Sequence, residues 1–331
     1  MFNMKNIRFS YICRYGTLYP YKNQDNEVVL CFMFAYGTVC GGVNENTMKK
    51  AYFKYIFALL LFGSNGIVAS NIHLSSYEIV FWRTLIGSLL LIGIFFATNQ
   101  KVTFIKEKTD TLFVALSGMA MGMSWMFLYE AYNQIGVSLA SLSYYCGPVI
   151  VMALSPIVFK EKMTTYKIIS FITVLIGIFL INGTAAGEKL KIFGIFCGLM
   201  SAVMYSFMVI LNKKSKKVQG LENAIIQLLM SFLTVAVFVG VRTGYQISIS
   251  STDLGWSILL GILNTGIGCY FYFSSIGKLS VQTVAICGYL EPLSAVILAS
   301  FILGEKMLAV QIVGAVLIIG GAVFGECYKS K

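Results

Sequence analysis

The sequence predicts an all-α integral membrane protein whose ten transmembrane helices form a five-plus-five inverted-topology repeat. Three observations carry that prediction. The composition is 57% hydrophobic and 12% charged, against roughly 25% charged in soluble domains. Ten apolar runs, each about long enough to cross a bilayer, follow one another from residue 52 to residue 327. The chain also repeats itself at a spacing of 144 positions. Tyr145, Pro148, Leu154, Glu161, Lys162 and Met163 recur without a gap as Tyr289, Pro292, Leu298, Glu305, Lys306 and Met307.

Residues 1–47 stand outside that pattern. They mix tyrosines, polar residues and scattered charges. Their apolar run, Val28 to Val43, is shorter than the ~20 residues a span needs. Asp25 and Glu27 precede it, where a signal peptide carries basic residues. Met48, Lys49 and Lys50 followed by an apolar run read as the biological start, with the preceding residues an upstream extension.

The runs are 52–71, 77–97, 110–132, 138–159, 165–183, 191–212, 221–241, 253–276, 280–303 and 308–327. Backbone polar groups must be satisfied internally in lipid, so runs of this length are helices; barrel strands are shorter and alternate. The basic residues then set an orientation. With Met48 in the cytoplasm, the inner side carries Lys49, Lys50, Lys54, Lys101, Lys106, Lys108, Lys160, Lys162 and Lys167. It also carries Lys213, Lys214, Lys216, Lys217, Lys278, Lys329 and Lys331. The outer side has only Lys189, Lys191, Arg242 and Lys306. Such a bias places both ends of the bundle inside. It also accounts for the net charge of +11 without a nucleic-acid partner, because the lysines lie in short gaps between apolar runs.

The 144-residue shift carries the fourth run onto the ninth and the fifth onto the tenth. Val137, Ile168 and Gly177 match Val281, Ile312 and Gly321, and Glu78 falls on Glu222. The expected units are 48–184 and 185–327, with 328–331 a cytoplasmic tail. Five spans per unit invert the second unit relative to the first. Secondary transporters are commonly built this way, with the substrate near the midplane where the repeats meet. Gly118 with Gly122, Gly194 with Gly198, and Gly321 with Gly325 are small-residue pairs that let helices approach closely.

The signatures YYCGPVIVMALSPIVFKEKM and GYLEPLSAVILASFILGEKM resemble the C-terminal ends of the two units of EamA-like transporters, in the drug/metabolite transporter superfamily. IVGAVLIIGGAVFGE and FWRTLIGSLLL, the latter with Arg83, share the likeness, which spans about 48 to 327. The first unit departs from the usual Leu-Gly-Glu ending at Phe159, Lys160 and Glu161. The resemblance implies a ten-helix inner-membrane permease, often an exporter of amino acids or other small metabolites. It says almost nothing about the substrate.

No GxSxG, HExxH or P-loop pattern is present, so neither an enzyme nor a built-in ATPase is expected. Eight cysteines form no CxxC and read as small buried apolar groups; His73 has no ligand cluster around it, so no metal or cofactor is expected. Ionisable residues inside spans are the sharper signal, because a mid-helix charge costs about 2.5–3.5 kcal/mol on insertion scales. Arg83, Glu130 and Glu291 are such residues. On a functional reading Arg83 meets an anionic substrate group, and Glu291 an amine or a coupling proton. On a structural reading Arg83 pairs with Glu130, and Glu291 stays neutral and hydrogen-bonded.

Pro148 and Pro292 each remove a backbone hydrogen bond at equivalent points, and paired helix breaks of this kind point to a binding site. Tyr145 and Tyr289 stand one turn away, and Trp125 and Tyr144 add rings with polar tips. Tyr129 and Tyr272, near span ends, read as interface anchors. Asn65 and Asn264 are polar at membrane depth, either bonding helices together or lining a site.

The expected function is a gradient-driven exporter of amino acids or related small metabolites in the cell membrane, working by alternating access. The alternative is a non-transporting scaffold, receptor or lipid-handling protein, for which Lys213, Lys214, Lys216 and Lys217 offer a basic loop toward anionic lipid. The partners are a small molecule and the bilayer; a coupling proton and a homodimer are left open.

Overall fold

A computed structural model describes residues 45–69, 71–98, 103–182, 192–244, 249–303 and 308–327. Among them all regular structure is helical. The proposed extension, 1–47, lies outside the described residues except for Glu45, Asn46 and Thr47, which open the first helix.

The helices are α1 (Glu45–Gly63), α2 (Asn65–Ala69), α3 (Ser76–Ala97), α4 (Lys108–Tyr144), α5 (Cys146–Phe159), α6 (Thr165–Asn182) and α7 (Ile192–Lys214). They continue with α8 (Gly220–Thr243), α9 (Ser251–Leu259), a π-helical segment (Leu260–Ile267), α10 (Gly268–Ile276), α11 (Val281–Gly288), α12 (Leu290–Leu303) and α13 (Ala309–Cys327). Among the described residues six stretches are long and apolar enough to cross a membrane: Thr47–Ala69, Ser76–Ala97, Lys108–Ile135, Ile192–Lys214, Gly220–Arg242 and Ser251–Ile276. Cys146–Phe159, Thr165–Leu180 and Ile312–Gly321 are shorter apolar helices.

One boundary differs from the sequence expectation. The third and fourth runs are not parted at 133–137; α4 continues through to Tyr144 and breaks at Tyr145. Residues 133–137 carry no proline, so nothing interrupts the backbone ladder there. Pro148 has no N–H for the carbonyl four residues back, that of Tyr144, and the helix restarts with the proline in its first turn. The second unit repeats the arrangement. α11 ends at Gly288, Tyr289 is the break, and Pro292 lies in the first turn of α12. These breaks divide apolar runs into pieces too short to cross alone.

Packing exchanges under the repeat. α1 packs on α10 and α12, while its counterpart α7 packs on α4 and α5. α3 meets the π segment, and α8 meets α4. The repeat-related pairs α3 with α8 and α6 with α13 meet between the units, and so do α5 and α11. The register is symmetric at the last pair. A Cβ on Gly177 would stand 2.7 Å from the Gly314 carbonyl oxygen and 2.8 Å from Ile318; one on Gly321 would stand 3.1 Å from the Ser170 carbonyl and 2.8 Å from Val174. Ser170 and Val174 sit 144 positions before Gly314 and Ile318. At the repeat axis Tyr289 Oη donates to the carbonyl of Tyr145 at 2.9 Å.

One end of the bundle is closed by polar ties between units. The Glu161 carboxylate accepts the N–H groups of Val281 (3.0 Å) and Gln282 (3.3 Å), capping α11. Lys167 Nζ donates to Gln282 Oε1 at 2.5 Å, and Gln282 Nε2 donates to Ser155 Oγ at 3.2 Å. Within the second unit, Lys213 Nζ donates to the carbonyl of Ile276 at 2.9 Å and also to that of Leu279.

Lys160, the departure noted in the first signature, caps α5 with φ of +56°, in the left-handed region. The second unit has Gly304 at the equivalent position. A side chain in this conformation costs about 1–2 kcal/mol, offset in part by the greater chain entropy of an unfolded glycine. Lys160→Gly is therefore expected to stabilise the protein by up to ~1 kcal/mol. Thermal unfolding in detergent checks this; a lower midpoint would count against strain at Lys160.

Candidate functional site

Among the described residues the helix packing leaves a cavity lined by apolar, aromatic and polar groups, whose roughly 480 Å³ of non-atom space includes space open to solvent. Phe62 and Asn65 enter from α1 and α2, Met121, Ser124, Trp125 and Tyr144 from α4, and Tyr205 and Met208 from α7. Cys269, Tyr272 and Phe273 enter from α10, and Glu291 from α12. On α4, α7 and α10 lining residues are three or four apart, which places them on one helix face. They come from the first, third, fourth, sixth, eighth and ninth runs, that is, three repeat-related pairs. Trp125 and Cys269 are themselves 144 apart.

Glu291 is the ionisable carboxylate in the wall, and it has no hydrogen-bond partner among the described residues. Its repeat equivalent is Gly147, where a side chain is excluded: a Cβ there would lie 2.6 Å from the Tyr205 ring. Aromatic rings form much of the remaining wall. Phe62 and Tyr272 pack with centroids 5.8 Å apart, and Tyr144 and Tyr205 at 5.4 Å. The hydroxyls of Tyr205 and Tyr272 are 3.3 Å apart.

Arg83 stands behind this wall, 3% exposed. Nε donates to Thr265 Oγ1 at 3.0 Å, a second nitrogen to Tyr129 Oη at 3.3 Å and the third to Asn65 Oδ1 at 3.4 Å. The guanidinium also covers the Trp125 ring at 4.4 Å. It therefore orients two residues that line the cavity without lining it itself. The π segment makes this possible. Thr265 Oγ1 donates to the carbonyl five residues back, Leu260, and turns toward Arg83. π segments often mark functional sites.

The remaining sequence candidates separate clearly. Asn65, Trp125, Tyr144 and Glu291 line the cavity. Asn264 instead donates to the Leu61 carbonyl (2.7 Å) and Ser64 Oγ (2.8 Å), bridging the break between α1 and α2. Tyr145 and Tyr289 meet each other at 6.5 Å between ring centroids and do not reach the cavity. Glu130 is not paired with Arg83. It accepts from Tyr77 Oη and from Gln134 Nε2 at 3.0 Å, while Arg242 covers the Tyr77 ring at 4.6 Å. Tyr272, read as an interface anchor, is 4% exposed and lines the cavity. Tyr129 bonds Arg83.

Phe62, Met121, Ser124, Tyr205, Met208, Cys269 and Phe273 were not singled out from the sequence. Their three- and four-residue spacing was visible, but apolar faces at that spacing occur on every span. His73 donates its backbone N–H to Asp253 Oδ1 at 2.9 Å, which fixes a loop. Among the described residues no three His, Cys, Asp or Glu side chains gather as a metal site.

Comparison with known proteins agrees with this architecture. YxxF of Bacillus subtilis, described as an uncharacterized transporter, is 27% identical over 288 residues, 84% of this chain and 90% of that protein. An uncharacterized transporter of Clostridium kluyveri is 25% identical over 299 residues, 86% of this chain and 95% of its own length. A solved crystal structure superposes with a TM-score of 0.71 at 17% identity, covering 83% of this chain and 97% of that one; at that identity the likeness concerns the fold. The sequence pattern of the EamA-like transporter family matches residues 49–183 and again 192–324. The protein is a multi-pass membrane protein, and it belongs to the EamA-like transporter family.

Proposed function

We propose that the chain is a secondary transporter of the cell membrane, exporting amino acids or related small metabolites by alternating access. It has ten spans in two inverted five-helix units, 48–184 and 185–327, and both ends of the bundle are cytoplasmic. The observation that carries this reading is the origin of the cavity wall: three repeat-related pairs of spans contribute to it. A site shared between two units opens to one side or the other when the units rock, without itself being rebuilt.

In this reading the ties of Glu161 and Lys167 close the cytoplasmic end, because those residues lie on the lysine-rich side. They must break for the inner side to open. Glu291 serves the cycle as the site's charge. A single carboxylate holds either a proton or a cationic solute, so binding one displaces the other, and a proton gradient can drive exchange. Tyr145 and Tyr289, with Pro148 and Pro292 beside them, form the contact about which the units pivot.

Solute flux in proteoliposomes tests the proposal. Amino acids and amines, loaded inside and exchanged against external label, are expected to move faster across vesicles containing the protein than across empty ones. An imposed proton gradient is expected to change the rate. No flux for any member of such a panel would favour a scaffold or receptor.

A further inference from the structure

We infer that the cavity recognises organic ammonium ions and that, within the class of small metabolites proposed above, it prefers amines to zwitterionic amino acids. This rests on the transporter reading only for the step of carriage; the binding chemistry stands on the cavity itself.

The wall brings together one carboxylate and six aromatic rings: Phe62, Trp125, Tyr144, Tyr205, Tyr272 and Phe273. A ring presents its negative face to a cation; the Arg83 guanidinium already covers Trp125, and the other five rings beside one carboxylate suit an ammonium carried on an apolar stem. The Glu291 carboxylate has no hydrogen-bond partner among the described residues, so its acceptor capacity is available to a ligand. A partly buried carboxylate with nothing bound to it is costly in a low-dielectric interior, and an ammonium of the solute supplies what the protein withholds.

A solute carboxylate meets the opposite situation. No lysine or arginine contributes to the cavity wall. Arg83 lies outside the lining, and its three nitrogens bond Thr265, Tyr129 and Asn65. A zwitterion would place its own carboxylate in the same small space as Glu291, with no cation to separate them. Like charges so close disfavour one another strongly. The repeat reinforces the selectivity, since Tyr205 fills the space a second acid at Gly147 would need. The site therefore has one anionic anchor and not a symmetric pair.

Three probes of nearly equal shape separate the possibilities: phenethylamine, 2-phenylethanol and phenylalanine. Isothermal titration of the full-length protein in detergent is expected to show phenethylamine binding at least tenfold more tightly than either of the others. Equal or tighter binding of phenylalanine, or equal binding of the uncharged alcohol, would overturn the inference, as would failure of phenethylamine to bind. Flux separates this from the transporter reading. Exchange of phenylalanine without exchange of phenethylamine would leave a transporter and refute amine selection. Tight amine binding with no flux of any solute would keep the site and refute carriage.

Discussion

Glu291→Gln is expected to abolish solute exchange while the purified protein stays folded and monodisperse. Glutamine has the same shape, so the cavity wall keeps its packing. The carboxylate bonds no neighbour among the described residues, so the substitution strands no donor. The loss falls on the ligand and on any proton exchanged for it. A hydrogen bond to a charged group contributes about 1.5–3 kcal/mol, which corresponds to roughly 10- to 100-fold in affinity. Glu291→Asp keeps the charge and withdraws it by one methylene, and should retain a measurable fraction of exchange. Labelled exchange in proteoliposomes and size-exclusion profiles together decide the matter. Wild-type exchange in the glutamine variant would remove Glu291 from the pathway.

The second large effect concerns the crossing of α6 and α13. Gly321→Leu is expected to destabilise the protein by at least about 1–3 kcal/mol, the usual range for overpacking a filled core. Its Cβ would stand 3.1 Å from the Ser170 carbonyl and 2.8 Å from Val174, and the Ser170 hydroxyl also donates to the Gly321 carbonyl at 2.6 Å. Backbone cannot move aside without parting the helices, and both contact and hydrogen bond would go. Gly177→Leu meets the symmetric obstacle at Gly314 and Ile318. Gly320→Leu is the control, since a Cβ there has nothing within 4 Å. Its midpoint should change by no more than about 0.5 kcal/mol in equivalent stability. Thermal unfolding in the same detergent compares all three; equal effects at Gly320 and Gly321 would refute close packing at this crossing.

Four of the twelve residues that line the candidate cavity, Asn65, Trp125, Tyr144 and Glu291, were legible in the sequence. Apolar runs interrupted by ionisable residues drew attention to Glu291, and the repeat marked it as unmatched by Gly147. Asn65, Trp125 and Tyr144 were reached by asking which polar or aromatic groups lie at membrane depth, and all three line the cavity. The same question also returned Asn264, Tyr145 and Tyr289, which bond helices to one another instead. A polar residue in a span must find a partner wherever it faces, so its presence alone does not tell a wall from a tie. Tyr205 and Tyr272 were harder to see, because a tyrosine on an apolar helix looks the same facing lipid, a neighbour or a cavity.

From the chain alone came the membrane, the internal repeat, the family likeness and the prolines that interrupt two of the helices. These depend on composition, period and local backbone chemistry, which act within a few residues. Tertiary structure alone decided what each charged group does. Glu78 and Glu222 are repeat equivalents, yet Glu78 caps its own helix through Ser75, while Glu222 accepts the backbone N–H groups of Thr103 and Phe104 at 2.7 Å each. Arg83 and Glu130 could have paired; instead Arg83 holds the cavity wall and Glu130 holds Tyr77. A long side chain in a membrane reaches whichever partner the packed helices bring within about 3 Å. That distance is set by how α1, α3, α4 and the π segment cross, which no single stretch of sequence contains.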